Sequence, residues 1–244
     1  MKNSPKIRLF CEAVPAVGQT LDLPEKAVHY LLNVMKLGRG DTLLLFDNRH
    51  GEFAAEITET GKKLCRTLIT EQTVPFSRSP DIWLVFAPVK KDKTDFIIEK
   101  SAELGVRKLQ PVITARTISE KVRADRYQAQ AVEACEQCRR VDLPEIGAAL
   151  PLAKLLQNWD SGRILFLMDE SGQGAPVAEV FKSFRQQPAA ILVGPEGGFS
   201  PEEFACLRAC PFVRGISLGL RILRAETAAA AALACWQAVC GDWQ

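Results

Sequence analysis

The sequence predicts an α/β protein in two parts: a small β-barrel-like unit with one helix, then a larger domain with a mainly parallel sheet covered on both faces. Three observations lead there. Residues 42–46, 53–58 and 64–70 are short runs rich in Leu, Ile, Phe and Thr, separated by turn residues. From Asp81 onward apolar strands alternate with helical patterns, which is how parallel strands become connected and covered. Between the two patterns, residues 75–80 (Pro-Phe-Ser-Arg-Ser-Pro) break regular structure and read as a linker, so the expected domains are 1–74 and 81–244.

Taken in order, residues 7–10 read as a short strand. A helix is expected over 25–36, with Ala27, Val28, Leu31, Val34 and Met35 on one face and Gly38 as its stop. The three strands come next, separated by Asp47-Asn48-Arg49-His50-Gly51 and Thr60-Gly61. The second part reads as strand 82–87, helix 93–104 ending at Gly105, strand 109–114, helix 125–140, helix 152–159, strand 164–168 and helix 177–184. Two strand-loop-helix units complete it. In the first, Ile191-Leu192-Val193 stops at Gly194, and Gly194, Gly197 and Gly198 permit positive φ and close approach of backbone to a ligand. Ser200 then caps a helix, with Pro201 in its first turn and Glu203 closing a capping box. In the second, a strand starting at Ile216 ends at Gly219 and leads through Arg224 into a helix over 227–239. The row Ala228 to Ala232 in that helix lets another backbone approach closely, within the chain or across a dimer.

Composition bounds the function. With 244 residues and 47% hydrophobic content the chain can pack an ordered core. Its net charge of +2 leaves nucleic-acid binding to local patches, and residues 90–140 carry twelve Lys/Arg against eight Asp/Glu. The opening residues have no apolar core of the signal-peptide kind, and the uncharged run 227–241 is short of the roughly 20 residues that span a bilayer. Eight cysteines without dense even spacing read as reduced thiols of a cytoplasmic protein. Cys135-x-x-Cys138 and Cys206-x-x-x-Cys210 fall in helical patterns and read as core residues, so no metal site is expected. Only His29 and His50 are present, both early in the chain, which leaves a histidine-dependent hydrolase poorly supported.

The glycine loops read as a cofactor pocket, and charge narrows its ligand. Glu196 stands where a phosphate would be repelled, and no GxxxxGK[ST] is present, so a nucleoside triphosphate is disfavoured. A dinucleotide is disfavoured too, because Gly172-Gln173-Gly174 lacks the third glycine of GxGxxG and reads as a plain loop.

Gly194-Pro195-Glu196-Gly197-Gly198-Phe199-Ser200 followed by the stretch from Leu218-Gly219-Leu220-Arg221-Ile222-Leu223-Arg224-Ala225-Glu226 to Ala228 resembles the paired signature of the ribosomal RNA small subunit methyltransferase E family. Weaker matches run through nearly the whole chain: Arg8-Leu9-Phe10, His29-Tyr30-Leu31 leading to Gly40-Asp41, the stretch from Glu99 to Val106, and the one from Glu133 to Cys138 with Arg140 and Pro144. Asn33 and Lys36 stand where the family often has arginine, Arg139 where glycine is common, and Val141 replaces a usual polar residue.

The resemblance implies a trefoil-knotted methyltransferase domain of the SPOUT type behind an N-terminal PUA-like RNA-binding barrel. It implies a homodimer that uses S-adenosylmethionine to methylate N3 of a uridine in 16S ribosomal RNA of the small ribosomal subunit. Carried over by position, it places the cofactor at Leu167, Gly194, Glu196, Gly197, Leu218, Gly219, Ile222 and Leu223. Losing the N3 proton leaves negative charge on uracil, which Arg224 is expected to stabilise, while Glu196, Glu226 or water accepts the proton. Arg8, Lys36, Lys90, Lys93, Arg116 and Arg140 are expected on RNA phosphates. Two other readings are a non-catalytic RNA-binding assembly factor and a ribose 2′-O-methyltransferase of the same fold.

Overall fold

A computed structural model describes residues 7–118, 122–185 and 187–243. Most of the opening charged stretch, residues 1–6, lies outside the described residues. The chain divides into two compact units, Met1–Arg78 with Cys135–Asp142, and Ser79–Ala134 with Leu143–Gln244. That a later segment belongs to the first unit is not visible in the order of sequence patterns.

The first unit holds β1 (Arg8–Phe10), β2 (Thr20–Asp22), helix α1 (Glu25–His29), β3 (Thr42–Asp47), β4 (Gly51–Thr60) and β5 (Cys65–Pro75). They form one sheet in the order β1-β3-β4-β5-β2, antiparallel except for β1 beside β3. The expected barrel is therefore a five-stranded sheet with β1 and β2 at its edges. Irregularities of register between β4 and β5 bend it, since an extra residue in one strand sharpens local twist. Its core gathers Leu9, Val28, Leu31, Leu43, Leu45, Ala55, Ile57 and Ile69. β5 runs through Pro75, the first residue of the expected linker, and residues 76–80 carry no regular structure.

The helix expected over 25–36 is corrected. After α1 the chain widens into a π-helical turn, Tyr30–Val34, closed by the Met35 N–H donating to the Tyr30 carbonyl at 2.9 Å. A π turn inserts a residue into the helical register and rotates the residues beyond it. Val28 and Leu31 keep their places in the core, Leu32 and Leu37 pack against it, and Val34 and Met35 turn outward. Lys36 then leaves the helix with φ of 58°.

Arg8, expected on a phosphate, is also corrected. It is buried, and its guanidinium donates to Glu52 Oε2 at 2.5 Å, to the Cys135 carbonyl at 2.5 Å and to the Arg140 carbonyl at 2.7 Å, while lying over the Phe46 ring at 3.7 Å. Arg140 turns inward as well, gripping Asp142 with two hydrogen bonds of 2.7 and 3.1 Å. Glu136 Oε1 accepts from the Phe10 N–H, so β1 and the segment 135–142 are joined through charge and backbone. Arg139 beside them has φ of 65°, a conformation that glycine adopts without steric cost.

The second unit holds β6 (Ile82–Phe86), α2 (Lys91–Glu103), β7 (Lys108–Ile113), most of α3 (Ala124–Cys138), β8 (Glu145–Ile146), β9 (Leu150–Pro151), α4 (Leu152–Gln157), β10 (Ile164–Met168), β11 (Ala175–Pro176), α5 (Val177–Ser183), β12 (Ala189–Val193), α6 (Pro201–Ala209), β13 (Val213–Ser217) and α7 (Ala225–Val239). The expected strand from Ile216 is the end of β13, which starts three residues earlier; β8, β9 and β11 are too short to give a periodic signal. The sheet order is β11-β13-β10-β12-β6-β7-β8, all parallel, with β9 beside β7. Alternate residues serve two cores. Leu84, Phe86, Phe166, Ile191 and Val193 face α2, α5 and α7, and Val85, Leu165, Leu167, Ala190 and Leu192 face the other layer with Phe199 and Leu207. α7 packs on α2, α5 and β12, so its alanine row serves close packing within the chain. No helix among the described residues is long and apolar enough to cross a membrane.

Because Arg8 supplies the cation that pairs with the buried Glu52, Arg8→Ala is expected to destabilise the first unit by about 3–5 kcal/mol, the cost of leaving a buried charge unpaired. Circular dichroism across a urea titration reads this, and an unchanged midpoint would remove the structural role.

Candidate active site

The carboxyl ends of β10, β12 and β13 lie side by side, because β10 pairs with β12 on one edge and with β13 on the other. Three loops therefore leave the sheet at one place, the usual position of ligands in open parallel sheets. They line a cavity of about 480 Å³ with the start of α7 and with Lys93 of α2. Met168, Asp169, Glu170 and Gly172 come from the first loop, Gly194 to Glu196 with Gly198 and Phe199 from the second, and Ser217 to Arg224 from the third.

Local sequence explains each loop. After β12 the chain must turn against the Phe199 ring, and a Cβ on Gly194 would lie 2.8 Å from it. The Ser200 hydroxyl accepts from the Glu203 N–H while Glu203 Oε2 accepts from the Ser200 N–H, so the expected capping box fixes where α6 begins. After β13, Gly219 adopts φ of 103° and its N–H donates to the Ser217 hydroxyl at 3.2 Å. Leu220 and Ile222 then stand fully exposed on the rim, and Arg224 is the N-cap of α7.

Charge is arranged in two groups. Lys93 donates to Glu196 Oε1 and lies 4.0 Å from Glu226 Oε1. That hydrogen bond holds the Glu196 carboxyl below its ordinary range against partial desolvation, with the positive charges of Lys93, Lys90 and Arg224 adding to it. The second oxygen of Glu226 is buried without a hydrogen-bond partner among the described residues. In the other group, burial alone would raise the Asp169 carboxyl, yet it is held low by the Ser171 hydroxyl and N–H at 2.5 and 2.8 Å and by Arg208 at 3.2 Å.

Of the residues expected at the cofactor, Gly194, Glu196, Leu218, Gly219, Ile222 and Leu223 line the cavity. Two do not. The Leu167 side chain sits in the core on the opposite face of the sheet, and Met168 and Asp169 form the wall instead. Gly197 turns toward Arg116, whose guanidinium donates to its carbonyl at 2.7 Å. Arg224 lines the cavity and makes no ion pair among the described residues, whereas Glu226 is not among the lining residues and lies 4.0 Å from the Lys93 ammonium. Lys93, expected on a phosphate, is corrected to a cavity residue held by carboxylates. Lys36, Lys90 and Arg116 are exposed.

The first loop is the part of the site that sequence reasoning missed. Gly172, expected in a plain loop, lines the cavity with φ of 77°, and a Cβ on Gly174 would lie 2.6 Å from the Ile216 backbone. Its available signal was position: Asp169-Glu170-Ser171-Gly172 comes directly after a buried strand.

Comparison with known proteins agrees with this geometry. Residues 77–237 match the model of an RNA methyltransferase domain, and residues 23–69 that of an RNA methyltransferase PUA domain. The ribosomal RNA small subunit methyltransferase E of Rickettsia conorii is 33% identical over 229 residues, 93% of each chain, and that of Bacillus subtilis 28% identical over 86% of each. The crystal structure of a ribosomal RNA small subunit methyltransferase E from Neisseria gonorrhoeae, bound to S-adenosyl methionine, superposes with a TM-score of 0.89 at 31% identity, covering 98% of this chain and 99% of that one. A Legionella pneumophila protein in complex with the same cofactor gives 0.86 at 31% identity, covering 98% and 100%. The chain has a parallel-sheet methyltransferase domain and an N-terminal PUA-like domain, and it belongs to the ribosomal RNA small subunit methyltransferase E family.

Proposed function

We propose that this chain transfers the methyl group of S-adenosylmethionine to N3 of a uridine in 16S ribosomal RNA. The observation that carries the reading is the cavity at three adjoining strand ends, lined by the loops that follow them and bordered by Arg224, a cation without an ion pair among the described residues. The residues fit the cofactor. Loop N–H and C=O groups suit the edge of adenine, Ile222 and Leu223 suit its faces, and Glu196 and Asp169 are carboxylates compatible with hydroxyl or ammonium groups. When bound, the cofactor supplies an electrophilic methyl group on a sulfonium.

The chain's own residues then have defined tasks. N3 of uracil lies on the pairing edge and carries a proton, so the base enters unpaired or flipped out of a stack. Arg224, which stays protonated, stabilises the charge that appears on the uracil carbonyl oxygens as the proton leaves. Glu226 accepts that proton in this reading, because Glu196 is bonded directly to Lys93 whereas Glu226 keeps one oxygen without a partner among the described residues. Lys36, Lys90 and Arg116 serve as phosphate contacts.

The resemblance over nearly the whole chain also supports a C-terminal trefoil knot, a homodimer, and the domain limits 1–74 and 81–244. Leu220 at 104% exposure and Ile222 at 86% agree with a rim that a second copy covers.

The defining assay supplies isotope-labelled S-adenosylmethionine and unmodified small ribosomal subunits, then identifies the labelled nucleoside by mass spectrometry. N3-methyluridine is expected; label on a ribose would favour the 2′-O reading, and cofactor binding without any label would favour the non-catalytic one. Gly219→Ala is expected to weaken cofactor binding about tenfold, the effect of forcing a side chain into a left-handed backbone, whereas Gly197→Ala, 3.5 Å from the Arg116 side chain, should bind as wild type. Calorimetry tests the pair, and equal affinities would remove the 217–224 loop from the cofactor site. Arg224→Ala and Glu226→Gln should each lower kcat, Arg224→Ala by about 10²-fold, with cofactor affinity unchanged; full turnover by either folded variant would end its assigned role.

A further inference from the structure

Two thiols at the end of α3 stand outside every role given above. Cys135 and Cys138 are free, belong to the same compact unit, and lie three residues apart in the last turn of the helix. That spacing brings the Cα atoms of a helix to about 5 Å, inside the range that a disulfide bridges. The side chains meet: the two thiols share a hydrogen bond, and Cys138 Sγ also lies 4.0 Å from the Cys135 carbonyl. Their exposure differs. Cys135 is wholly buried, with its Sγ 3.7 Å from the Asp142 carbonyl, whereas Cys138 is partly exposed. The surroundings favour charge on the outer sulfur. A helix C-terminus by itself opposes an anion, because its free carbonyls carry negative charge. Against that and against desolvation, the Cys135 thiol donates to Cys138 and lowers its pKa, the Arg140 N–H donates to it as well, and the cations of Arg140 and Arg8 add to the effect. The same hydrogen bond, with burial, pushes the Cys135 thiol up and keeps it protonated as the donor. Cys11 in this unit is the contrast: burial, then the charges of Glu136 and Asp47, push its thiol up to about 12.

We infer that Cys135 and Cys138 form a peroxide-reactive dithiol, with Cys138 as the attacking sulfur and Cys135 as the one that resolves it into a reversible disulfide. The Cys138 thiolate attacks one oxygen of a hydroperoxide and the O–O bond breaks. Cys138 becomes a sulfenic acid, and the other oxygen leaves as hydroxide or alkoxide, which takes a proton from water. The Cys135 sulfur then attacks the Cys138 sulfur; the S–O bond breaks, and hydroxide leaves with the Cys135 proton as water. Two electrons have passed from the sulfurs to the peroxide, and a dithiol reductant restores both thiols by exchange. Because the Cys135 and Arg140 carbonyls both accept from Arg8, the bridge closes in the turn that anchors β1.

The test exposes the reduced full-length protein to a small excess of hydrogen peroxide, blocks the remaining thiols with iodoacetamide and maps tryptic peptides by mass spectrometry. Residues 127–139 form one tryptic peptide that holds these two cysteines and no other. It should be recovered unalkylated and two hydrogens lighter than the dithiol, and doubly alkylated once more when dithiothreitol precedes the blocking step. In Cys135→Ser, whose hydroxyl keeps the hydrogen bond to Cys138, oxidation should stop at the sulfenic acid, which dimedone captures. In Cys138→Ser, the buried Cys135 should oxidise more slowly than Cys138 does in the wild type, by about tenfold or more. The wild-type map stands without either variant. Full alkylation of both cysteines at a peroxide dose that oxidises the exposed Cys206 would overturn the inference. So would a wild-type peptide with Cys138 carried to the sulfinic acid and Cys135 still alkylated, because the two sulfurs would then not meet. A bridge from Cys138 to another copy, seen as doubled mass on a non-reducing gel, would likewise remove the intrachain pair.

Discussion

The pairing of β10 with a parallel neighbour on each edge is the constraint on which the rest of the site depends. Met168 stands opposite Ile216 of β13, and Leu167 opposite Leu192 of β12, so three strands end at nearly one level. Parallel strands buried on both faces have nothing but side chains of the core along their length. Chemistry is left to the loops at their ends, and here those loops meet across a single strand. Glycines recur along them, and Gly194 must leave room for the Phe199 ring. A pocket of this kind is held by hydrogen-bonded strand register, and its shape therefore depends on the whole sheet.

Lys93 adds a second dependence. It belongs to α2, yet its ammonium reaches the loop after β12 and approaches the first turn of α7. One cation between two carboxylates joins three segments whose partners are far apart in sequence. The arrangement also separates the two carboxylates: Glu196, bonded directly to the cation, is stabilised in its charged form, and the more distant Glu226 keeps a buried oxygen without a hydrogen-bond partner among the described residues. Asp169 is handled differently, held ionised by a hydroxyl, a backbone N–H and Arg208 in spite of its burial. Anionic groups at the mouth of the cavity agree with a ligand that carries positive charge and disagree with a phosphate.

Much of the fold and of the site is legible in the sequence wherever local chemistry decides the conformation. Ile191 to Val193, the glycine stop, and Ser200 with Pro201 and Glu203 each carry their structural instruction within a few residues, and all appear as read. Nothing is legible where the decision is made by distant partners. Lys93 and Glu196 are separated by 103 positions, and nothing in either segment marks them as a pair. Arg8 has the same form as any surface arginine until Glu52 and two carbonyls from 135–142 close around it. The π turn at Tyr30–Val34 is hidden for a third reason: the residues have an ordinary amphipathic spacing, and a single wider turn, invisible in composition, redirects Val34 and Met35. The knot rests on resemblance alone, since strand order is a property of the whole chain and no periodicity encodes it.

The basic residues show how a chain of net charge +2 can address a polyanion. Arginines paired with buried carboxylates, Arg8 with Glu52 and Arg140 with Asp142, are consumed by the fold, where a planar guanidinium satisfies several acceptors at once. Lysines and arginines on segments without acidic neighbours, as at Lys36 and Arg39, keep their charge available. Sorting by partner rather than by count separates the two sets, and it explains why bulk charge is uninformative. A weak overall charge has a consequence of its own: long-range attraction to a polyanion is slight, so contact with one rests on local groups of cations that the fold leaves unpaired.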